Sequence, residues 1–187
     1  KSVINATGVF SDRIRKLANP ESRPLLQMSQ GTHIVLDREF QPGHSALMIP
    51  RTSDKRVLFA VPWHDKVVVG TTDTPVESPT NAPLPQKEEL EFLLNHAARY
   101  LTHAPTPDDV RSAFTGLRPL VREGDSRDTQ SISRDHAIFT DPSGLITITG
   151  GKWTTYRKMA EDTVDQAIRS ADLERRRCVT HSLKLHG

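Results

Sequence analysis

An α+β fold is what this sequence predicts, with a strand-rich middle set between two shorter strand–turn–helix pieces. Three observations carry the expectation. The chain opens on an apolar run, Val3 to Thr7, that ends in Thr-Gly and passes into helical spacing. It closes on a second such unit, where Leu145 to Thr149 meets Gly150-Gly151-Lys152 and apolar side chains then recur at helical intervals. Between them, apolar and polar residues alternate in short runs, the period of two that half-buried strands show.

In chain order, Val3 to Thr7 reads as a short parallel-sheet strand and Val9 to Leu17 as the helix after it, with Ser11 or Asp12 near its start. Asn19, Pro20, Glu21, Ser22 and Pro24 mark a polar loop. From about Met28 to Phe139 the texture is that of strands. Thr32 to Asp37 alternates, Ala46 to Ile49 is short, and Arg56 to Pro62 with Lys66 to Thr72 makes a hairpin about Trp63-His64-Asp65. Val110 to Leu117 and Gln130 to Phe139 are further strands. One helix interrupts them, Pro85 to about His103, with Leu90, Leu93, Leu94, Ala97, Ala98 and Leu101 on one face.

The closing unit carries the most information. Its helix has Tyr156, Met159, Ala160, Val164, Ala167, Ile168 and Ala171 at helical spacing, with Thr154 or Thr155 as the cap. Such a helix start presents backbone N–H groups and the positive end of the helix dipole. Gly150 and Gly151 remove side-chain bulk, so something flat or anionic can come close. An ordinary strand-to-helix turn explains the same spacing. A triphosphate-binding loop does not, because Gly-x-x-x-x-Gly-Lys-Ser/Thr is absent.

Composition narrows the class. Hydrophobic residues at 35% and charged residues at 26% suit a globular protein, and aromatics at 5% point to a core of Leu, Val, Ile and Ala. A net charge of +2 with no basic stripe argues against nucleic acid, and Arg175-Arg176-Arg177 reads as solvated surface. Cys178 stands alone, so no internal disulfide forms, which fits a reducing cytosolic setting. No apolar run approaches the ~20 residues of a membrane span, so membrane association is expected to be peripheral. Eight histidines without ligand spacing predict no metal.

Four motifs, "VINATGVFSDRI", "GTHIVL", "FTGLRPL" and "TGGKWTTYRKMAE", follow one another in a single order. With them the chain resembles the FAD-dependent glycerol-3-phosphate dehydrogenases, flavoproteins related to D-amino-acid oxidase, over roughly residues 2 to 172. The resemblance implies a cap domain for substrate, inserted between two pieces of an FAD-binding α/β domain. Residues 1–18 and 144–173 would then belong to the FAD-binding domain, 19–143 to the cap, and 174–187 to a linker. Such flavoproteins hold the ADP pyrophosphate on a Gly-x-Gly-x-x-Gly turn. Gly8, Gly31, Gly43 and Gly70 are too isolated to supply it, and the chain opens in mid-strand without Met. It reads as an internal fragment that neither retains FAD nor turns over alone.

Oxidising an alcohol by hydride transfer needs a substrate clamp, a group for the hydroxyl proton, and positive charge near the flavin. For a phosphorylated substrate, sn-glycerol 3-phosphate, the clamp is arginine, whose planar fork matches phosphate. The resemblance assigns Arg118 and Arg134 to that pocket. From pattern alone, Arg118 also reads as a surface arginine capping a strand that turns at Pro119, and Arg134 as an ion-pair partner of Asp135. His33 is the expected general base or hydroxyl-orienting group, although a lone strand histidine is commonly structural. Lys152 is expected near flavin and substrate. Thr7, Gly8, Gly150, Gly151, Thr154 and Thr155 would contact FAD. Thr71, Thr72 and Asp73 match a pocket-wall motif that a simple turn also explains. The resemblance implies quinone as electron acceptor, leaves room for a homodimer, and places the protein in the cytoplasm or at the inner face of the cell membrane. An amino-acid or amine oxidase of the same superfamily and a non-catalytic binding module are the competing readings.

Overall fold

A computed structural model of the chain describes residues 1–50, 52–53, 56–122 and 135–186. Its elements are β1 (Val3–Asn5), α1 (Ser11–Ala18), β2 (Leu26–Asp37), β3 (Leu47–Ile49), β4 (Leu58–Trp63) and β5 (Lys66–Gly70). They continue with β6 (Thr74–Val76), α2 (Lys87–Ala97), β7 (Ser112–Val121), β8 (His136–Thr140), β9 (Leu145–Gly150) and α3 (Tyr156–Ser170). The chain divides into two compact units, Lys1–Met28 with Pro119–Gly187, and Ser29–Arg118. β8 is hydrogen-bonded to β9 within the first unit.

In the first unit the sheet order is β1-β9-β8. β1 runs parallel to β9, with Val3 opposite Leu145 and Asn5 opposite Thr147. β9 is buried from Leu145 to Thr149, as a central strand with an apolar sequence should be. Two polar devices fasten this unit. The buried Asn5 amide donates to the Ser11 carbonyl at 3.0 Å and to Thr147 Oγ1 at 3.2 Å, joining β1, α1 and β9. Arg15 on α1 grips Asp141 through Nε and Nη2, both at 3.2 Å, in a pair that is nearly closed to solvent. Burial works against the Arg15 charge, but hydrogen bonds and charge from Asp141 and Asp12 outweigh it and raise its pKa. The apolar face of α3 buries Ala167, yet Tyr156, Ala160 and Val164 stay exposed beside Ile4, Ala6 and Ile148 in an open apolar groove.

In the second unit a sheet ordered β3-β4-β5-β2-β6, with β7 also paired to β2, lays one face on α2. Ile34, Leu36, Ile49, Leu58, Ala60, Val67 and Val69 pack with Leu93, Leu94, Ala97 and Leu101, all buried. The alternate residues of β4, Phe59, Val61 and Trp63, are exposed, which is the period-two pattern of a one-sided sheet. The hairpin of β4 and β5 turns at His64-Asp65, in the expected place.

Three local expectations are corrected. β2 begins at Leu26, not Thr32; its first half lacks alternation because buried Ser29, Gln30 and Thr32 are satisfied by side-chain hydrogen bonds. α2 stops at Ala97 instead of reaching His103; residues 99 and 100 continue in tighter turns, and the Leu101 N–H closes on the Ala97 carbonyl at 3.0 Å. The chain does not turn at Pro119: β7 continues to Val121, and the Arg122 N–H still donates to the Leu25 carbonyl at 2.8 Å. Among the described residues β7 pairs only with β2, and an edge strand tolerates a missing donor. Of the strand expected over Gln130 to Phe139, positions 130–134 lie outside the described residues.

Candidate functional site

Two of the expected site residues meet in the second unit. His33 on β2 stands directly opposite Gly70 on β5. A Cβ on Gly70 would fall 2.5 Å from the imidazole Cγ, so the ring rests on bare backbone. The ring of Phe114, from β7, stacks on the same imidazole with centroids 4.9 Å apart and planes 5° apart. Burial, and then the charge of Arg118, hold the His33 pKa below its ordinary value. His33 is therefore neutral near pH 7 and has a lone pair with which to accept a proton.

Arg118 lies over Gly31: a Cβ there would be 2.6 Å from Cζ. Its guanidinium donates to Thr71 Oγ1 at 2.9 Å, to the Thr72 carbonyl at 3.2 Å and to Ser29 Oγ at 3.3 Å. Asp73, itself hydrogen-bonded by the Ser29 hydroxyl, stands 3.8 Å from Nη1. The Arg118 side chain keeps 24% exposure. The fork is thus pre-oriented by the Thr71–Asp73 segment, which lowers the entropy cost of holding an anion. The expectation that Arg118 sits at a strand end is replaced by a position inside β7.

The other expected residues cluster in the first unit. Thr7 and Gly8 come just after β1, and Gly150 ends β9 with Gly151 after it, so both turns lie at the carboxyl ends of neighbouring parallel strands. That is where nucleotide cofactors bind in α/β sheets. Thr7 Oγ1 donates to Asn5 Oδ1 at 2.7 Å. Gly150 and Gly151 have φ of +74° and +75°, a conformation that only glycine adopts without strain. Lys152, Trp153, Thr154 and Thr155 are exposed in a single tight turn before α3. Thr155, the residue before α3, accepts the Lys152 N–H at 3.2 Å through its hydroxyl and donates to the Lys152 carbonyl at 3.0 Å.

Arg134 lies outside the described residues. Sequence reasoning missed Phe114 and Glu89. Glu89, on α2, is buried and takes hydrogen bonds from Thr32, Thr72, Thr74 and Gln30 and from the Gln86 N–H. The available signal was the pair Gln86 and Glu89, three residues apart ahead of an apolar run, which forms a capping box. No group of three or more metal-ligating side chains occurs among the described residues, and no helix among them is long and apolar enough to cross a membrane.

Residues 1–157 match the family of FAD dependent oxidoreductases. The whole chain aligns at 46% identity with 30% of a mitochondrial glycerol-3-phosphate dehydrogenase of Arabidopsis thaliana. It aligns at 45% with 26% of the mitochondrial glycerol-3-phosphate dehydrogenase of Homo sapiens. Among solved structures, the glycerol-3-phosphate dehydrogenase of Bacillus halodurans complexed with FAD superposes with a TM-score of 0.77 at 36% identity. That match covers 94% of this chain and 33% of the other. The chain thus spans about a third or less of the length of these relatives.

Proposed function

The chain belongs to the family of FAD dependent oxidoreductases, and on that premise we propose that it forms part of an FAD-dependent sn-glycerol-3-phosphate dehydrogenase. The observation that carries the reading is the pairing of a neutral, desolvated His33 with the pre-oriented fork of Arg118 in one unit. The names of its relatives supply the substrate class.

The first unit fits the cofactor. Gly8 has no atom within 4 Å of where a Cβ would stand, and Gly150 and Gly151 carry the chain from β9 toward α3 with positive φ. Thr7, Gly8, Gly150, Gly151, Thr154 and Thr155 would hold FAD with backbone and hydroxyl groups, and Lys152 would add positive charge. FAD, when bound, supplies the acceptor for the hydride leaving the carbinol carbon. Arg118, with Arg134, binds the substrate phosphate and fixes the carbinol. His33 accepts the hydroxyl proton as the carbonyl of dihydroxyacetone phosphate forms. A dianion favours two separated arginines over the one that suffices for an amino-acid carboxylate.

Quinone is the proposed electron acceptor, and peripheral membrane association and a homodimer are part of the same reading. The 187 residues alone, lacking a Gly-x-Gly-x-x-Gly turn, retain little FAD and no activity. The test is a substrate panel on the whole protein. Reduction by sn-glycerol 3-phosphate, with no response to glycine or proline, supports the assignment; the reverse preference overturns it.

A further inference from the structure

Glu89 contributes no atom to the proposed reaction, yet it is a buried carboxylate at 3% exposure with five hydrogen-bond donors aimed at it. Its Oε1 accepts from Thr72 Oγ1 at 2.7 Å and from Thr74 Oγ1 at 2.8 Å. Its Oε2 accepts from Thr32 Oγ1 at 2.7 Å, Gln30 Nε2 at 2.8 Å and the Gln86 N–H at 3.0 Å. A helix-capping role needs only the last of these. The other four reach β2 and the segment just after β5.

The same segment carries the contacts of Arg118. Thr72, tied to Glu89 by its hydroxyl, also takes the Thr32 N–H on that hydroxyl at 2.8 Å and gives its carbonyl to Arg118. Thr71 and Asp73, on either side, hold the rest of the guanidinium. We propose that Glu89 is a positioning residue: through Thr72 it fixes the 71–73 segment, and with it the direction of the Arg118 fork. Burial works against the Glu89 charge, but the bonds from Gln86, Thr32, Thr72 and Gln30 overcome it and hold its pKa below the ordinary carboxylate range. An ionised acceptor is what five donors require, and a buried network of this kind is rigid only when every member is satisfied. Glu89 thus couples the start of α2 to the anion-binding side chain.

This inference rests on Arg118 binding the substrate phosphate, and the experiment separates the two. In the whole FAD-loaded protein, a double-mutant cycle combines Glu89→Gln with Arg118→Ala, reading KM and kcat for sn-glycerol 3-phosphate. Glu89→Gln keeps the shape but turns one acceptor into a donor. It should raise KM about tenfold while kcat changes by less than about threefold, the split expected when ground-state binding is lost. In the Arg118→Ala background the same substitution should add less than about twofold, because residues acting as a unit are not additive. Thr72→Val cuts the link without touching the carboxylate, should reproduce the KM effect, and replaces Glu89→Gln in the cycle if that variant does not fold. Thr72→Ser should restore KM. If KM effects at 89 and 118 multiply independently, or Thr72→Val leaves KM unchanged, Glu89 does not position Arg118. If Arg118→Ala alone leaves KM unchanged, the phosphate-binding reading itself fails.

Discussion

His33 and Phe114 lie face to face, 4.9 Å between ring centroids and 5° between planes, over a sheet position where Gly70 offers no side chain. A Cβ on Gly70 would stand 2.5 Å from Cγ and 2.7 Å from Nε2 of the imidazole. Gly70→Ala therefore displaces the ring instead of removing it. Misplacing His33, the proposed base, costs alignment, so kcat of the whole protein should fall about 10- to 100-fold with the bound-flavin absorbance intact. Steady-state kinetics decides it, and a kcat within about twofold of the parent would mean that His33 orientation does not limit the reaction.

The charge state of His33 gives a pH prediction with a definite sign. Burial and the Arg118 charge depress its folded pKa below 6.5. The folded protein then holds fewer protons on this residue than the unfolded chain, so between the two values stability rises with pH, and above 6.5 no further gain remains. With His33 as the proposed base, activity is lost only on acidification through the depressed value, which places the acidic limb of kcat/KM below 6.5. Arg118→Met removes one of the two causes and should move that limb upward, toward 6.5. Kinetic pH profiles on both proteins, with an NMR titration of His33, measure the shift. A limb that stays put or moves down contradicts the assignment.

How much of this was legible follows residue by residue. The turn after β9 could be read because Gly150-Gly151 ends an apolar run just before helical spacing begins, and both glycines do adopt positive φ. α2 could be read from Leu90, Leu93, Leu94 and Ala97, but not its end, since the hydrogen-bonded turns through Leu101 keep one apolar face going. The first half of β2 was invisible because its polar residues are buried against partners such as Asp73 and Glu89, 44 and 59 positions away. Arg118 and His33 stood out by residue type and motif. Thr71, Thr72 and Asp73 stood out as a pocket-wall motif, but not their hold on Arg118, which lies 46 and 47 positions from Thr72 and Thr71.

The pair that fastens the first unit was equally hidden, since Arg15 and Asp141 are 126 residues apart. Asp141→Asn removes the more buried of the two carboxylates paired with Arg15 and leaves only Asp12. It should destabilise this unit by about 3–5 kcal/mol, seen as faster amide exchange along β9. Unchanged exchange would show that the remaining contacts of Arg15, to Asp12 and the Arg23 carbonyl, are sufficient.

Leu93 tests the other unit. It is fully buried beneath the sheet with Ile34, Leu36 and Val69 among its core companions. Leu93→Ala should cost about 2–5 kcal/mol through lost transfer energy and a cavity, lowering the thermal midpoint of the apoprotein. A midpoint unchanged within error would mean that α2 is not integral to the core.

The central claim is that Arg118 captures the substrate phosphate, and kcat/KM of Arg118→Ala in the whole protein tests it most directly. Loss of a desolvated, charge-assisted clamp should cost about 2–5 kcal/mol in kcat/KM for sn-glycerol 3-phosphate. Arg118→Lys should recover only part, because a point charge cannot reproduce the fork. A value for Arg118→Ala within about a factor of two of the parent would make the residue structural, held by Thr71, Thr72 and Asp73 for the sake of β7 alone, and would contradict the account.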